Sequence, residues 1–238
     1  MTVAISGKNM TIGEIVRVAK HEEEVAILQE AKEQMLKSHT LMGKAVEDGK
    51  RVYGINTGFG KFADTPISYD DLARLQENLV RSHAAGVGPL FSQEEVRAAM
   101  LLRANALARG MSGIRVEVVE TIVDMLNKGV TPCVPERGSV GASGDLAPLA
   151  HIALVIIGEG HAFYQGDVMP GKEALDKAGI RPCKLEAKEG LALTNGVQMT
   201  NGVLSLVVDE GRVLAKAADI IASLTGQVLQ VIVDAYDD

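Results

Sequence analysis

Apolar positions along most of this chain recur with the spacing of an amphipathic α-helix. Helix starts are marked by a hydroxyl residue followed three positions later by a carboxylate, at Thr11 and Glu14, Ser68 and Asp71, and Ser92 and Glu95. Together these patterns predict helices over 12–20, 22–48, 69–85, 93–108, 115–128, 146–157 and 204–236. The chain is therefore expected to be mainly α-helical, with few strands.

Two segments differ from this simple pattern. Glycines and prolines interrupt residues 159–187, where the sequence of 164–168 predicts a strand and a turn. We interpret this segment as a connector or a small subdomain. The last segment, 204–236, is apolar on more than one face, so it should have neighbours on several sides.

Composition narrows the possible partners. The 238 residues are 47% hydrophobic, enough for a sizeable core, and their net charge of -7 argues against a nucleic-acid surface. Cys133 and Cys183 form no Cys-x-x-Cys pattern, and His21, His39 and His161 lack metal-ligand spacing. Because neither a signal peptide nor a membrane-spanning apolar run is evident, we expect a cytoplasmic protein with no membrane contact and no metal.

The candidate chemistry lies between residues 138 and 151, where Ala142, Ser143 and Gly144 occupy a glycine-rich loop before an apolar segment. Ala142 offers an unhindered carbonyl, Gly144 a flexible backbone nitrogen that can attack it, and Ser143 a hydroxyl to lose. Cyclisation with loss of two waters would give a 4-methylidene-imidazol-5-one, which is an electrophile. Three small residues also occur in ordinary loops, and the glycines could cradle a phosphate, although no Walker lysine follows.

Three other segments accompany this loop in order: Tyr-Gly-Ile-Asn-Thr-Gly-Phe-Gly at 53–60, Asn-Leu-Val-Arg-Ser-His-Ala-Ala-Gly at 78–86, and Lys-Glu-Gly-Leu-Ala-Leu-Thr-Asn-Gly at 188–196. The four segments together resemble the histidine and phenylalanine ammonia-lyases. The resemblance implies a capping region and a bundle of long helices, as in the aspartase and fumarase enzymes. It also implies a homotetramer whose active sites collect residues from several subunits.

On this resemblance, residues 1–238 are the N-terminal portion of one ammonia-lyase-like domain. Residues 1–110 would be the capping region with the Tyr53 loop. Residues 111–200 would carry the prosthetic-group loop and a connector, and 201–238 would begin a long bundle helix.

The resemblance also implies roles for single residues. Tyr53 matches the catalytic base, although a phenol with a pKa of about 10 needs a lowered pKa or a concerted proton transfer. Asn195 matches the amide that hydrogen-bonds the prosthetic group, formed from Ala142, Ser143 and Gly144, and orients the substrate carboxylate. Considered alone, Tyr53 and Asn195 would be ordinary loop or turn residues.

His83 bears on the substrate, because an imidazole can hold another imidazole by hydrogen bonds. The pair Ser82-His83 resembles the histidine enzymes, whereas plant phenylalanine enzymes resemble Phe-Leu there and tyrosine enzymes His-Leu. A lone histidine on an apolar helix is also often structural. His151 could cap or orient a helix, and Asp145 could polarise the loop or stabilise the following helix by its charge.

Family members continue beyond the position of Asp238, and that part carries a carboxylate-binding arginine, further tyrosine and glutamine groups, and a glutamate. The chain is therefore interpreted as truncated, as one half of a split enzyme with a complementing C-terminal chain, or as a degenerate relative. The leading hypothesis is conversion of L-histidine to urocanate and ammonia without an external cofactor. The alternatives are a phenylalanine or tyrosine ammonia-lyase, an aminomutase, or a non-catalytic helical assembly subunit.

Overall fold

The computed structural model describes residues 2–48, 55, 57, 69–141, 143–232 and 234. Within these residues the helices are α1 Ile12–His21, α2 Gln29–Glu47, α3 Tyr69–His83, α4 Gln93–Ala108, α5 Val116–Asn127, α6 Leu146–Ile156, α7 Gly171–Lys177, α8 Glu189–Thr194 and α9 Gln198–Leu229. The strands are β1 Val3–Ile5, β2 Val25–Ile27, β3 Val87–Leu90, β4 Thr131–Pro132, β5 Pro135–Arg137, β6 His161–Tyr164 and β7 Asp167–Pro170. The prediction of a mainly α-helical chain is confirmed.

Two helix starts form where the sequence places a capping box. Thr11 precedes α1, and its side chain accepts from the backbone N–H of Glu14 at 3.3 Å while Glu14 accepts from the Thr11 N–H at 2.7 Å. Ser92 and Glu95 make the same reciprocal pair at the start of α4. The third predicted start, at Ser68, lies outside the described residues.

The helix predicted over 22–48 begins too early. Residues Val25–Ile27 form β2, which pairs in parallel with β1, and α2 starts only at Gln29. The side chain of Asn127 accepts from the Val25 N–H at 2.8 Å and donates to the Val25 carbonyl at 2.9 Å. These long-range hydrogen bonds satisfy the backbone that a helix would otherwise use, which is why the local pattern misled.

The prediction for the last helix was wrong at both ends. Helix α9 begins at Gln198 rather than at 204, and it ends at Leu229 because Gln230 adopts a left-handed conformation with φ 51°. The connector contains the predicted strand and turn as the β6–β7 hairpin, whose turn is Gln165 and Gly166. It also contains α7, and α8 follows it; neither short helix was predicted.

Helix α4 lies at the centre of the described structure. It packs against α1, α2, α5 and α9, and its residues are buried on most sides. The three-stranded sheet β4-β6-β7 and helices α6 and α7 lie beside this core, and α6 packs against α3 and α8. Two of the matched segments, 78–86 and 188–196, thus include helical residues of α3 and α8 that pack against α6. The divisions at 110 and 200 stay a prediction.

Only the first part of α9 is buried. Met199, Gly202 and Leu206 pack inward, with Gly202 against the backbone of α4, where a Cβ would approach the Ala99 nitrogen to 2.9 Å. Beyond Leu206 most of the large apolar side chains are exposed: Val207, Val213, Leu214, Ile220, Ile221, Leu224, Val228 and Leu229. The expectation of neighbours on several sides is therefore not met within the described residues.

Residues Glu189–Leu229 are, in the described part of the chain, the one helical run long and apolar enough to cross a membrane by length and composition. The start of α9 packs on α4, as a core helix of a globular domain does. Charged residues, among them Asp209, Glu210 and Arg212, also interrupt its apolar surface. Length and composition are therefore weak support for a membrane span.

Candidate active site

The loop before α6 presents Ser143 at the surface. Gly141 and Gly144 form an isolated antiparallel bridge, and Ser143 lies exposed in the turn that this bridge closes. Gly141 has φ 69° and Gly144 has φ 98°, conformations that residues with a Cβ rarely adopt. Ala142 lies outside the described residues. The chain is thus bent back on itself at the place where the sequence predicts a cyclising triplet.

Gly144 lies directly against Gly196, in the turn between α8 and α9. The backbone N–H of Asp145 donates to the Gly196 carbonyl at 2.6 Å, and a Cβ on Gly144 would overlap that carbonyl oxygen. Gly196 follows Asn195, so two segments that were matched separately in the sequence meet here. The structure therefore brings the Ser143 loop and the turn that carries Asn195 together.

The Asp145 side chain ties the same two segments together a second time. The residue is 3% exposed, and its carboxylate accepts from the Thr200 N–H at 2.8 Å and from the Thr200 hydroxyl at 2.6 Å. Ser139 donates to it more weakly, at 3.4 Å. The carboxylate makes no capping hydrogen bond to α6; it caps the first turn of α9 instead. Both hydrogen bonds fix the loop on the start of α9.

Asn195 ends α8 with its side chain at the surface. Its backbone N–H donates to the Leu191 carbonyl at 3.0 Å, while Thr194 is buried and donates to the Gly190 carbonyl at 3.0 Å. In the described part of the chain, the Asn195 side-chain amide makes no hydrogen bond. Its two donors and its acceptor are therefore free to meet a ligand.

His83 is the last residue of α3, and its ring is oriented by its own helix. Its Nδ1 lies 2.8 Å from the Leu79 carbonyl, which can only accept, so Nδ1 carries the proton of the neutral imidazole. The Ser82 hydroxyl lies 3.1 Å from the same nitrogen and itself donates to Leu79 at 2.9 Å. The Nε2 atom of His83 is then an acceptor.

His151 joins α6 to the segment that follows His83. Its Nε2 accepts from the Gly86 N–H at 3.1 Å, and burial lowers the pKa of this imidazole, which keeps it neutral. Gly86 is packed so closely that a Cβ would lie 3.0 Å from that nitrogen and 3.2 Å from Pro135. The expectation that His151 caps or orients a helix is thus refined, because its ring holds a neighbouring loop.

Helix α8 is held in place by hydrogen bonds to residues that the sequence analysis did not identify. Glu189 is fully buried and accepts from the Arg115 backbone N–H at 3.1 Å and from its guanidinium at 2.9 and 2.7 Å. Gln76 accepts from the Leu191 N–H at 3.1 Å. Of these three residues, only Glu189 lies in a segment that resembles the family, 188–196. Nothing in the sequence around Arg115 or Gln76 indicated a role at the site.

The structure therefore unites part of the predicted site. Ser143, Gly144 and Asn195 lie at one junction, and His83 is linked to it through α3, the Gly86 loop and α6. Tyr53 lies outside the described residues. Among those that are described, no three His, Cys, Asp or Glu side chains converge as metal ligands do.

Comparison with known proteins shows the family to which the chain belongs. A family model described as aromatic amino acid lyase matches residues 10–238. Histidine ammonia-lyase of Caldanaerobacter subterraneus subsp. tengcongensis is 50% identical over 236 residues, which are 99% of this chain and 46% of that protein. The chain therefore belongs to the aromatic amino acid lyase family.

Solved structures agree with this placement. Histidine ammonia-lyase from Trypanosoma cruzi superimposes with a TM-score of 0.91 at 35% identity, covering 98% of this chain and 45% of its own. Tyrosine aminomutase from Streptomyces globisporus superimposes with a TM-score of 0.90 at 38% identity, covering 95% and 42%. The chain spans about half the length of the relatives that it matches.

Proposed function

We propose that this chain is the N-terminal portion of a histidine ammonia-lyase, which converts L-histidine to urocanate and ammonia. The observation that carries the proposal is the junction of Gly144 with Gly196, since it places the Ser143 loop beside Asn195. A sequence identity of 50% to a histidine ammonia-lyase over 99% of this chain supports the same activity. The reaction removes a weakly acidic β-proton while an amine leaves, so it needs both an electrophile and a base.

The Ser143 loop fits the prosthetic group that this family implies. Ser143 is exposed at a closed turn, Gly144 has a conformation that favours glycine, and Asp145 and Gly196 hold the loop from behind. The residues that would form a 4-methylidene-imidazol-5-one are Ala142, Ser143 and Gly144, with no external cofactor. Such a group supplies an electrophile that polypeptides otherwise lack.

The remaining site residues would bind and orient the substrate around this loop. The free amide of Asn195 can donate to a carboxylate or to a carbonyl oxygen of the prosthetic group. Tyr53 is proposed as the base that takes the β-proton. The described residues supply no base with comparable support, so this role rests on the resemblance of 53–60 alone.

His83 favours histidine over the other aromatic amino acids. With its proton on Nδ1, its Nε2 accepts a hydrogen bond, and the imidazole of histidine offers an N–H donor that a phenyl ring lacks. The likeness to a tyrosine aminomutase keeps a 2,3-aminomutase as the second candidate, because elimination and amine migration can share the same electrophile.

The site would be completed by residues outside this chain. We propose a homotetramer, with a carboxylate-binding arginine and further polar groups supplied by the rest of the protein or by a complementing C-terminal chain. The two free cysteines, Cys133 and Cys183, suit a reducing cytoplasm. The exposed apolar residues of α9 would be covered in that assembly.

The first experiment is the intact mass of the purified chain and of two serine variants. The proposal expects a loss of two waters that is absent from Ser143→Ala but present in Ser139→Ala, the matched control in the same loop. Retention of the deficit by Ser143→Ala would refute the cyclisation.

Activity is then measured with histidine, phenylalanine and tyrosine, alone and with a complementing chain. Urocanate from histidine supports the lyase, β-amino acid products support the aminomutase, and no turnover with an unmodified Ser143 supports a non-catalytic subunit. His83→Leu should reduce histidine turnover more than phenylalanine turnover; equal losses would argue against recognition of the imidazole ring.

A further inference from the structure

Arg103 is a buried arginine of α4 that lies under the turn carrying Asn195. Its side chain is almost closed to solvent, with the residue 6% exposed. Its Nη1 donates to Gln198 Oε1 at 2.7 Å and its Nη2 donates to the Ala192 carbonyl, while its Nε has no partner among the described residues. The guanidinium thus directs its hydrogen bonds to the two helices that flank one turn.

Those two acceptors bracket the Asn195 turn. Ala192 lies in α8 and Gln198 is the first residue of α9, so a single planar group spans residues 193–197. Gly196 rests on that group, because a Cβ there would overlap both Arg103 Nη1 and Gln198 Oε1. The carbonyl of the same glycine accepts from the Asp145 N–H. Gly196 is therefore in contact with both Arg103 and the Ser143 loop.

The cost of burying this cation calls for an explanation. Within the described residues no carboxylate pairs with Arg103, and burial lowers the pKa of its guanidinium to about 10, so it stays charged at neutral pH. An apolar side chain of similar size could fill the space with less desolvation. What only arginine offers is a rigid fork that can hold two oxygen acceptors at fixed positions.

We propose that Arg103 is a positioning residue of the lyase site, which holds the Asn195 turn against the Ser143 loop by bridging Ala192 and Gln198. This inference rests on the proposed function, because it assumes that Asn195 and Ser143 act together. Arg103 donates to neither of those side chains; it acts through the Ala192 carbonyl, the Gln198 side chain and its contact with Gly196.

The chain offers a matched control on the same helix. Arg97 is likewise buried, at 3% exposed, and donates to the Val18 carbonyl at 3.2 and 3.0 Å and to the Leu126 carbonyl at 3.1 Å. These partners lie in α1 and α5, away from the Asn195 turn. Arg97→Met and Arg103→Met therefore remove the same kind of buried group, but only the second should affect the site.

The test is amide hydrogen exchange of peptides that cover 141–147 and 190–200. In Arg103→Met the N–H groups of Asp145 and Asn195 should exchange about 10- to 100-fold faster than in the chain without the substitution, because both hydrogen bonds depend on the position of the turn. In Arg97→Met these two amides should keep their protection. Arg103→Lys, which keeps a charge but lacks the fork, should also speed exchange and is measured in case Arg103→Met does not fold.

In the active assembly, Arg103→Lys should lower kcat for histidine by at least about tenfold with KM changed less, since Asn195 and the loop would be misaligned during the reaction. The proposal would be overturned if the Asp145 and Asn195 amides were as well protected from exchange in Arg103→Lys as in the chain without the substitution. Faster exchange of both amides in Arg97→Met to the same extent would also overturn it. Hydrogen exchange can be measured without turnover. It therefore tests whether Arg103 positions the turn even if the proposed lyase activity is absent.

Discussion

A Cβ at position 144 should break the junction between the Ser143 loop and the Asn195 turn. Gly144 has φ 98°, and a methyl group there would overlap the Gly196 carbonyl oxygen. Gly141 is the matched comparison: it has φ 69° in the same loop, but apart from its chain neighbours no described residue has an atom within 4 Å of the position that a methyl group would take. Gly141→Ala therefore tests backbone strain alone, and Gly144→Ala tests strain together with the contact.

The expected loss of stability is larger for Gly144→Ala than for Gly141→Ala. Gly141→Ala should lower the free energy of unfolding by about 1–2 kcal/mol, the cost of a left-handed alanine. Gly144→Ala carries about 1–3 kcal/mol of backbone strain. It must also displace Gly196 and break the 2.6 Å hydrogen bond from Asp145, which adds about 1–3 kcal/mol for a donor left unpaired. The total for Gly144→Ala is about 2–6 kcal/mol.

Urea unfolding measures these changes, and the intact mass reports cyclisation. Gly141→Ala should still lose two waters, whereas Gly144→Ala should not. Gly144→Ala changes both the contact with Gly196 and the residue whose nitrogen attacks in the cyclisation. Gly196→Ala tests the contact alone, because it leaves residues 142–144 intact but crowds Arg103. If Gly144→Ala and Gly196→Ala were both as stable as Gly141→Ala, the reasoning from close contact would be refuted.

Three further outcomes follow from buried groups. Because burial lowers the pKa of His151, unfolding should become easier as pH falls below 6.5, by at most about 1.4 kcal/mol per unit, and His151→Gln should lack this part of the slope. Burial raises the pKa of the Cys183 thiol, so alkylation at pH 8 should be slower in the folded than in the unfolded chain; equal rates would contradict this. Glu189→Gln should cost about 2 kcal/mol in urea unfolding by removing the buried charge to which Arg115 Nε and Nη2 donate, with Glu186 still paired to Nη1, whereas Glu173→Gln at the surface should cost nothing measurable.

The local parts of the fold were predictable because short-range chemistry determines them. The capping boxes at Thr11 and Ser92 fix the starts of α1 and α4 within the helix itself. β2 was missed because its backbone is satisfied by β1 and by Asn127, about a hundred residues away. α8 was missed because six residues show no helical period, and Gln76 and Glu189 stabilise it through hydrogen bonds to the backbone around it.

The site divides in the same way. Ser143, Gly144, His83 and Asn195 could be named from the resemblance of short segments, since each segment carries its own pattern. Their supports could not be named, because Arg103, Thr200 and Arg115 lie outside the matched segments and act through tertiary hydrogen bonds. A buried arginine has no local signature; on sequence alone Arg103 looks like one more polar position of an amphipathic helix.

The supports have one feature in common: each holds at least one backbone group, and among the described residues none binds the side chain of Ser143 or Asn195. His151 accepts from the Gly86 N–H, Asp145 donates its own N–H to Gly196, and Arg103 binds the Ala192 carbonyl. Glycines at 86, 144 and 196 allow these approaches, because a Cβ at each would crowd the partner. Ser143 and Asn195 thus face solvent from a rigid backbone. In the proposed site, substrate binding would break no hydrogen bond of these two side chains to the described residues, so a variant that loosens one support should lower the rate before it unfolds the chain.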